Sequence, residues 1–371
     1  MVHGGHALAF HEGRTLLVRH AMPGERVRVR VTGRTSRVWH AEATEVIDPD
    51  PRRVVPPCSL AVPGGCGGCD WQFAPLDMQR SWKGEILAES FRRFAPDVRP
   101  PQVPVQALDA SGLGWRTRAT WHADLSGRAG YRANRSTAVV VPDACLVLTA
   151  EFEEFRANQM LTEERMTAQH GERGRVAAGS DSVIREVRGR GWRIPAQSFW
   201  QAHARLPRVL VEAVLGAGRP QAGETWWDLY AGAGLLSAFV ADAVGPAGAV
   251  HAVEADEPSV RAARRALHDR PTIRLHHRRV EDWLASIPAD AAQPAGIVLD
   301  PPRTGIGALV ARAAGVGARV IVYVACDPVA LARDAQTLAG EGYRLATLAA
   351  FDAFPMTHHM ECVASFEHEI S

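Results

Sequence analysis

A single lysine, Lys83, stands among 371 residues, so the positive charge of the chain is almost all arginine. The 42 basic side chains balance 41 acidic ones and leave a formal net charge of +1, so no bulk basicity announces a polyanionic partner. Long apolar runs are missing, which argues against a membrane-spanning helix. Met1-Val-His-Gly-Gly5 does not read as a signal peptide, and a cytoplasmic location without membrane contact is expected. Nothing in the composition marks an obligate protein partner. Cysteines number only six; in a cytoplasmic chain of this size they argue against a disulfide framework and toward metal binding or catalysis. What is present is a 46% hydrophobic content, enough for a full core, in a length with room for two or three domains.

The chain is organised around Trp226-Trp-Asp-Leu-Tyr-Ala-Gly-Ala-Gly-Leu-Leu236, which reads as a buried strand, a glycine turn and a helix over 235–243. Gly232 and Gly234 let the backbone turn tightly and approach a ligand at the helix N-terminus. Glu254 follows 22 residues after Gly232, at the end of a second apolar run, where an acid can accept both hydroxyls of a ribose. A nucleoside-type cofactor fits, and this stretch alone leaves NAD and S-adenosylmethionine open. Beyond it the pattern is steadily βα. Strands end at Asp300-Pro-Pro-Arg303 and Ala325-Cys-Asp-Pro328, which places Asp300 and Cys326 at the carboxyl edge of a parallel sheet.

Residues 1 to about 50 read as short strands separated by Gly turns, in the manner of an OB-like barrel, with a first strand missing at the abrupt start. Arg26, Arg28 and Arg30 alternate with Val27, Val29 and Val31; a solvated strand face explains them as well as RNA does. Six arginines against two acids in 99–140, interleaved with Trp115, Trp121 and Tyr131, suit either RNA stacking or a plain strand surface. Between these segments lies Cys58-Ser-Leu-Ala-Val-Pro-Gly-Gly-Cys66-Gly-Gly-Cys69. Zinc sites usually pair their thiols, whereas three clustered cysteines and one remote one form a [4Fe-4S] pattern, with Cys145 as the fourth. Buried thiols are the plainer alternative, but a Gly-rich loop has little core to bury them in.

Cys326 precedes a Pro-started helix, whose N-terminus favours a thiolate, the strong nucleophile. The usual fate of a lone cysteine is burial without function; its place at the sheet edge opposite Asp300 favours function. Glu361, between Met360 and Cys362 before an apolar strand, would be desolvated and its pKa raised toward that of a general base.

Taken together, Gly4-Gly-His-Ala-Leu-Ala-Phe10, Met22-Pro-Gly-Glu-Arg-Val27, the four cysteines, Phe199-Trp-Gln201, Asp228-Leu-Tyr-Ala-Gly-Ala-Gly234, Asp300-Pro-Pro-Arg303, Cys326-Asp-Pro328 and Thr357-His-His-Met-Glu361 resemble the S-adenosylmethionine-dependent RNA uracil-C5 methyltransferases of the branch with a TRAM domain and an iron–sulfur cluster. The resemblance covers nearly the whole chain. It implies an α/β fold: a Rossmann-like class I methyltransferase domain over 196–371, an OB-like TRAM β-barrel over 1–50, and a central α/β domain over 51–195 carrying a [4Fe-4S] cluster on Cys58, Cys66, Cys69 and Cys145. It implies Cys326 as nucleophile at uracil C6 and Glu361 as base. Gln201, Tyr230, Gly232, Glu254 and Asp300 would line the cofactor and uracil site. The expected partner is RNA, 23S ribosomal RNA ahead of transfer RNA. A non-catalytic RNA-binding or assembly factor, or an iron–sulfur redox sensor, are the alternatives. Departures from the family pattern are the long Cys58–Cys66 spacer, Leu235, His203, and Asp327 where most members carry Asn.

Overall fold

The computed structural model describes residues 1–291 and 293–369. Its first sheet contains β1 (Ala7–His11), β2 (Arg14–Arg19), β3 (Arg26–Arg34) and β4 (Val38–Asp48) in the order β1-β2-β4-β3. The expected barrel is a four-stranded sheet here: among the described residues no pairing joins β1 to β3. Val27 and Val29 turn toward the small apolar core under the sheet. Arg26, Arg28 and Arg30 pair across to Asp48, Glu45 and Glu42 on β4. Cross-strand ion pairs of this kind occupy the arginine face, which favours the structural reading of that alternation.

Helix α1 (Leu76–Phe94) buries a stripe of Gln79, Trp82, Lys83, Ile86, Leu87, Ser90 and Phe91, at the i, i+3, i+4 spacing of one helix face. After it comes β5 (Val105–Ala107). A central sheet follows, ordered β10-β9-β6-β7-β8, from β6 (Arg118–Ala123), β7 (Ala129–Arg132), β8 (Val139–Val140), β9 (Arg165–His170) and β10 (Val176–Ala178), with α2 (Ala150–Ala157) between β8 and β9. Trp115 and Trp121 are buried in this region, and the Trp121 indole donates to the Tyr131 hydroxyl at 3.0 Å. These aromatics are core, so they form no platform for RNA bases. The hairpin of β11 (Ser182–Val187) and β12 (Arg190–Pro195) leads into the last region.

There α3 (Leu206–Gly218), β13 (Thr225–Leu229), α4 (Leu235–Val244), β14 (Ala249–Glu254), α5 (Glu257–Ala266), β15 (Ile273–His277), α6 (Val280–Leu284), β16 (Gly296–Leu299), α7 (Leu309–Ala314), β17 (Val320–Ala325) and α8 (Pro328–Gly340) alternate. The chain closes with β18 (Tyr343–Asp352) and β19 (Glu361–His368). One eight-stranded sheet results, ordered β15-β14-β13-β16-β17-β19-β18-β5. The first five strands in that order are parallel, and β19 is antiparallel to both neighbours. β16 and β17 are buried at every residue, as strands covered on both faces by helices must be. The order reverses between β13 and β16, which opens a crevice at their carboxyl ends. The expected division near residue 195 does not separate the sheet, because β5 adds to its edge beside β18 and α1 packs on α8.

Candidate active site

Register builds the reactive pair. Ala325 at the end of β17 faces Cys362 on β19, so one more step along each strand sets Cys326 opposite Glu361. β18 repeats the alignment from the other side, with Phe351 opposite Glu361. Asp300 follows β16 in the same crevice. Cys326, Glu361, Asp300 and the exposed Arg303 lie within electrostatic reach of one another.

Burial dominates their chemistry. It pushes the Cys326 thiol up to about 12, and the nearby Glu361 carboxyl adds to the effect while Arg303 opposes it. The helix N-terminus that was expected to favour a thiolate is outweighed by desolvation and three acidic neighbours. Burial likewise holds Glu361 well above the usual carboxylate range and raises Asp300 to about 7. Burial thus shifts both members of the reactive pair toward their protonated forms. Next to Cys326, Asp327 Oδ1 caps α8 by accepting from the Val329 and Ala330 amides at 2.9 Å. Its other oxygen pairs with His3 Nε2 at 2.9 Å, which ties the N-terminal segment to the mouth.

The glycine turn lies across the crevice. Glu254 at the end of β14 accepts from the Gly232 amide at 2.8 Å and, through its other oxygen, from the Ala255 and Asp256 amides. Tyr230 holds the turn in a left-handed conformation (φ 67), and Gly232 has open space where a side chain would be. Asp228 on β13 is raised to about 6 by burial, against the bond from Ser237 Oγ at 2.5 Å. Its Oδ1 is buried with no hydrogen-bond partner. An open glycine shelf, an acid at the neighbouring strand end and an orphaned carboxylate oxygen fit a nucleoside ligand. Gln201 is buried in the loop before α3, and among the described residues no hydrogen bond ties it to Tyr230, Glu254 or Asp300.

A family model described as tRNA (Uracil-5-)-methyltransferase matches residues 183–368. A Streptomyces coelicolor protein described as an uncharacterized RNA methyltransferase is 36% identical, with 99% of this chain and 91% of the relative covered. The chain belongs to the tRNA (uracil-5-)-methyltransferase family. It is thus an RNA uracil-C5 methyltransferase. A 23S rRNA (uracil(1939)-C(5))-methyltransferase of Pseudomonas putida is 29% identical over 98% of this chain and 91% of its own. Among solved structures, the tRNA (uracil-54, C5)-methyltransferase of Pyrococcus abyssi in complex with S-adenosyl-L-homocysteine shares the fold, with a TM-score of 0.70, 20% identity and 95% of each chain covered.

In this methyltransferase the four cysteines of the expected cluster influence one another electrostatically. Cys66 lies within electrostatic reach of Cys145 and Cys58, and Cys69 within reach of Cys145 and Cys66. All four are free thiols. Among the described residues no three His, Cys, Asp or Glu crowd one point as a single metal ion requires.

Sequence reasoning missed the groups that hold the loop before Glu361. Lys83 Nζ, fully buried on α1, donates to Asp352 Oδ1 at 2.5 Å and to the Phe354 carbonyl at 3.1 Å. Gln79 accepts from the Met356 amide at 2.9 Å and donates to the Trp71 and Ala74 carbonyls. Asp70 pairs with His358 Nδ1 at 2.6 Å. Two polar residues inside the apolar stripe of α1 were the available signal: a buried lysine needs a carboxylate. Asp334 was missed as well. It accepts from the Ile306 and Gly307 amides and from the Tyr323 hydroxyl, which fixes the loop that carries Arg303.

Proposed function

We propose that this enzyme transfers a methyl group from S-adenosylmethionine to C5 of a uridine in 23S ribosomal RNA, through a covalent bond between Cys326 and C6. The observation that carries the proposal is the β17–β19 register, which sets the thiol and a desolvated carboxyl face to face beside Asp300. Glu254, Gly232, Tyr230 and Asp228 would hold the cofactor, with Gln201 and Asp300 between it and the uracil. When bound, S-adenosylmethionine supplies an electrophilic methyl carbon. The target base must leave its stack to enter the crevice.

C5 of uracil is a poor nucleophile. With Glu361 ionised, its carboxylate takes the Cys326 thiol proton and passes it to solvent; the Sγ–C6 bond forms, and the electron pair of the C5=C6 double bond moves into an enolate, which makes C5 nucleophilic. Once C5 carries the methyl group, Glu361 takes the C5 proton, the double bond re-forms and the Sγ–C6 bond breaks. Arg303, the cation nearest both groups, offsets the negative charge that builds up when the thiol ionises.

The three clustered cysteines and the remote Cys145 are the basis for proposing a [4Fe-4S] cluster as well. Cys58, Cys66, Cys69 and Cys145 would hold it, and it would join two distant segments without entering the reaction. Ribosomal RNA is favoured by the length-wide match to the Pseudomonas enzyme, transfer RNA by the fold match to the Pyrococcus enzyme. Mapping 5-methyluridine in RNA from a strain lacking the gene separates them: a methyl group missing from 23S rRNA supports the proposal, and one missing from tRNA corrects it. Cys326→Ala should abolish transfer from labelled S-adenosylmethionine and the covalent adduct with 5-fluorouracil RNA. Full activity in that variant would rule the mechanism out.

A further inference from the structure

A cavity of about 320 Å³ opens where three parts of the fold meet. Gly4 and His6 from the N-terminal segment, Gly68 and Asp70 from the thiol loop, Arg135 from the turn after β7 and His359 from the loop before Glu361 line it. Its one carboxylate is already occupied. Asp70 accepts from Arg19 Nη2 at 3.3 Å and pairs with His358 Nδ1 at 2.6 Å. Arg135 is exposed, held in a left-handed conformation (φ 50), and has no ion pair among the described residues. Its charge nevertheless reaches His6 and His40.

Two of the histidines here, His6 and His359, are held toward the neutral form. Burial, then Arg19 and Arg135, lower His6 to about 4; burial, then His358 and Arg303, lower His359 to about 3. His6 Nδ1 is buried without a hydrogen-bond partner, and Gly4 beside it leaves the space in front free of a side chain. The cavity thus combines a free cation, neutral flat rings and an unused ring nitrogen. That is the chemistry of a nucleotide: a phosphate for the guanidinium, a base for the rings. It is linked to the reaction crevice by a ring contact and a short stretch of chain. His3, paired with Asp327 beside Cys326, sets its ring edge-on to His358 at 6.3 Å, and His359 lies two residues before Glu361.

We propose that this cavity receives the nucleotide adjacent to the target uridine, with its base against His6 and its phosphate on Arg135. The inference rests on the RNA methyl-transfer reading above and adds to it a second nucleotide subsite. Such a subsite would select the target by its neighbour. The field of the free arginine favours a phosphate, and the cavity's size and the rings of His6 and His359 favour a base over a bare anion.

Two variants test it, with RNA from cells lacking the gene as the probe. Arg135→Gln should raise the KM for that RNA about tenfold, the worth of one charged hydrogen bond. The slope of log KM against log salt should become shallower by about 0.7 to 0.9. Asn134→Trp, at a second lining position, should fill the cavity and raise the KM for RNA at least as much. In both, kcat, the KM for S-adenosylmethionine and the melting temperature should stay near wild type. Unchanged KM for RNA in both variants would overturn the subsite. The Kd of the same RNA by filter binding reads the cavity without turnover. Absent methylation by the wild type would therefore sink the function, while the Kd ratios still decide the subsite: equal Kd values overturn it, and about tenfold weaker binding supports it.

Discussion

Among the described residues Asp300 has no ion pair to offset its burial, and this makes it a cost to the fold. Its carboxyl titrates at about 7 in the folded chain, against an ordinary value of 3.8. Below that ordinary value both folded and unfolded forms hold the proton, and the full stability is present. As pH rises from about 4 through 7 the unfolded chain releases its proton first, so stability is lost across that window. Asp300→Asn removes the titration. The variant should melt above the wild type at pH 8, converge with it near pH 4 and lose methyl transfer; thermal unfolding followed across pH checks this. An unchanged difference at both pH values would show that the residue is better solvated than its surroundings indicate. Asp300, Cys326 and Glu361 were legible in the sequence, because polar residues just beyond apolar runs fall at strand ends. The protonation of Cys326 was not, because it depends on how many carboxyls the fold gathers around one sulfur.

At the scale of elements, α1 acts as a clamp on the loop that presents Glu361. Lys83 and Asp352 form a fully buried ion pair, and removing one partner strands the other's charge. Lys83→Ala should cost about 3–5 kcal/mol, and Lys83→Met combined with Asp352→Asn should recover most of it. Urea unfolding of the single and double variants measures both. If the double variant fares no better than the single one, the pair is not a unit. The amphipathic pattern from Leu76 to Phe94 marks α1 in the sequence, although polar residues such as Gln79 and Lys83 interrupt its apolar stripe. The helix before β13 begins only at Leu206, although its apolar pattern extends back to Ala202. Pro207 starts it, and the contact of His203 with Asp109 at 3.1 Å holds the residues ahead in a loop. The three-residue β5 was not readable at all: its pairing with β18 joins residues far apart in the chain, and no local pattern records that.

Across the whole molecule, the N-terminal segment, the thiol loop and the catalytic loop are joined by backbone as well as side chains. The amides of Asp70 and Trp71 both donate to the Met356 carbonyl, at 2.8 and 3.0 Å, and the Trp71 indole donates to the Gly5 carbonyl. A cluster on the four cysteines would therefore brace the same loop. Anaerobically purified protein should absorb in the visible, and Cys66→Ser should lose the colour and melt lower; a colourless, zinc-loaded anaerobic preparation would replace the cluster with zinc. Length showed room for two or three domains, but the contact across residue 195 was not legible, because α1 and β5 leave their sequence neighbours to pack on the last sheet and its helices. The burial of Lys83 has a practical outcome. Amine-seeking reagents will find the intact protein blank apart from its α-amino group, so the first dye taken up by the ε-amine reports the instant at which the clamp on the catalytic loop lets go.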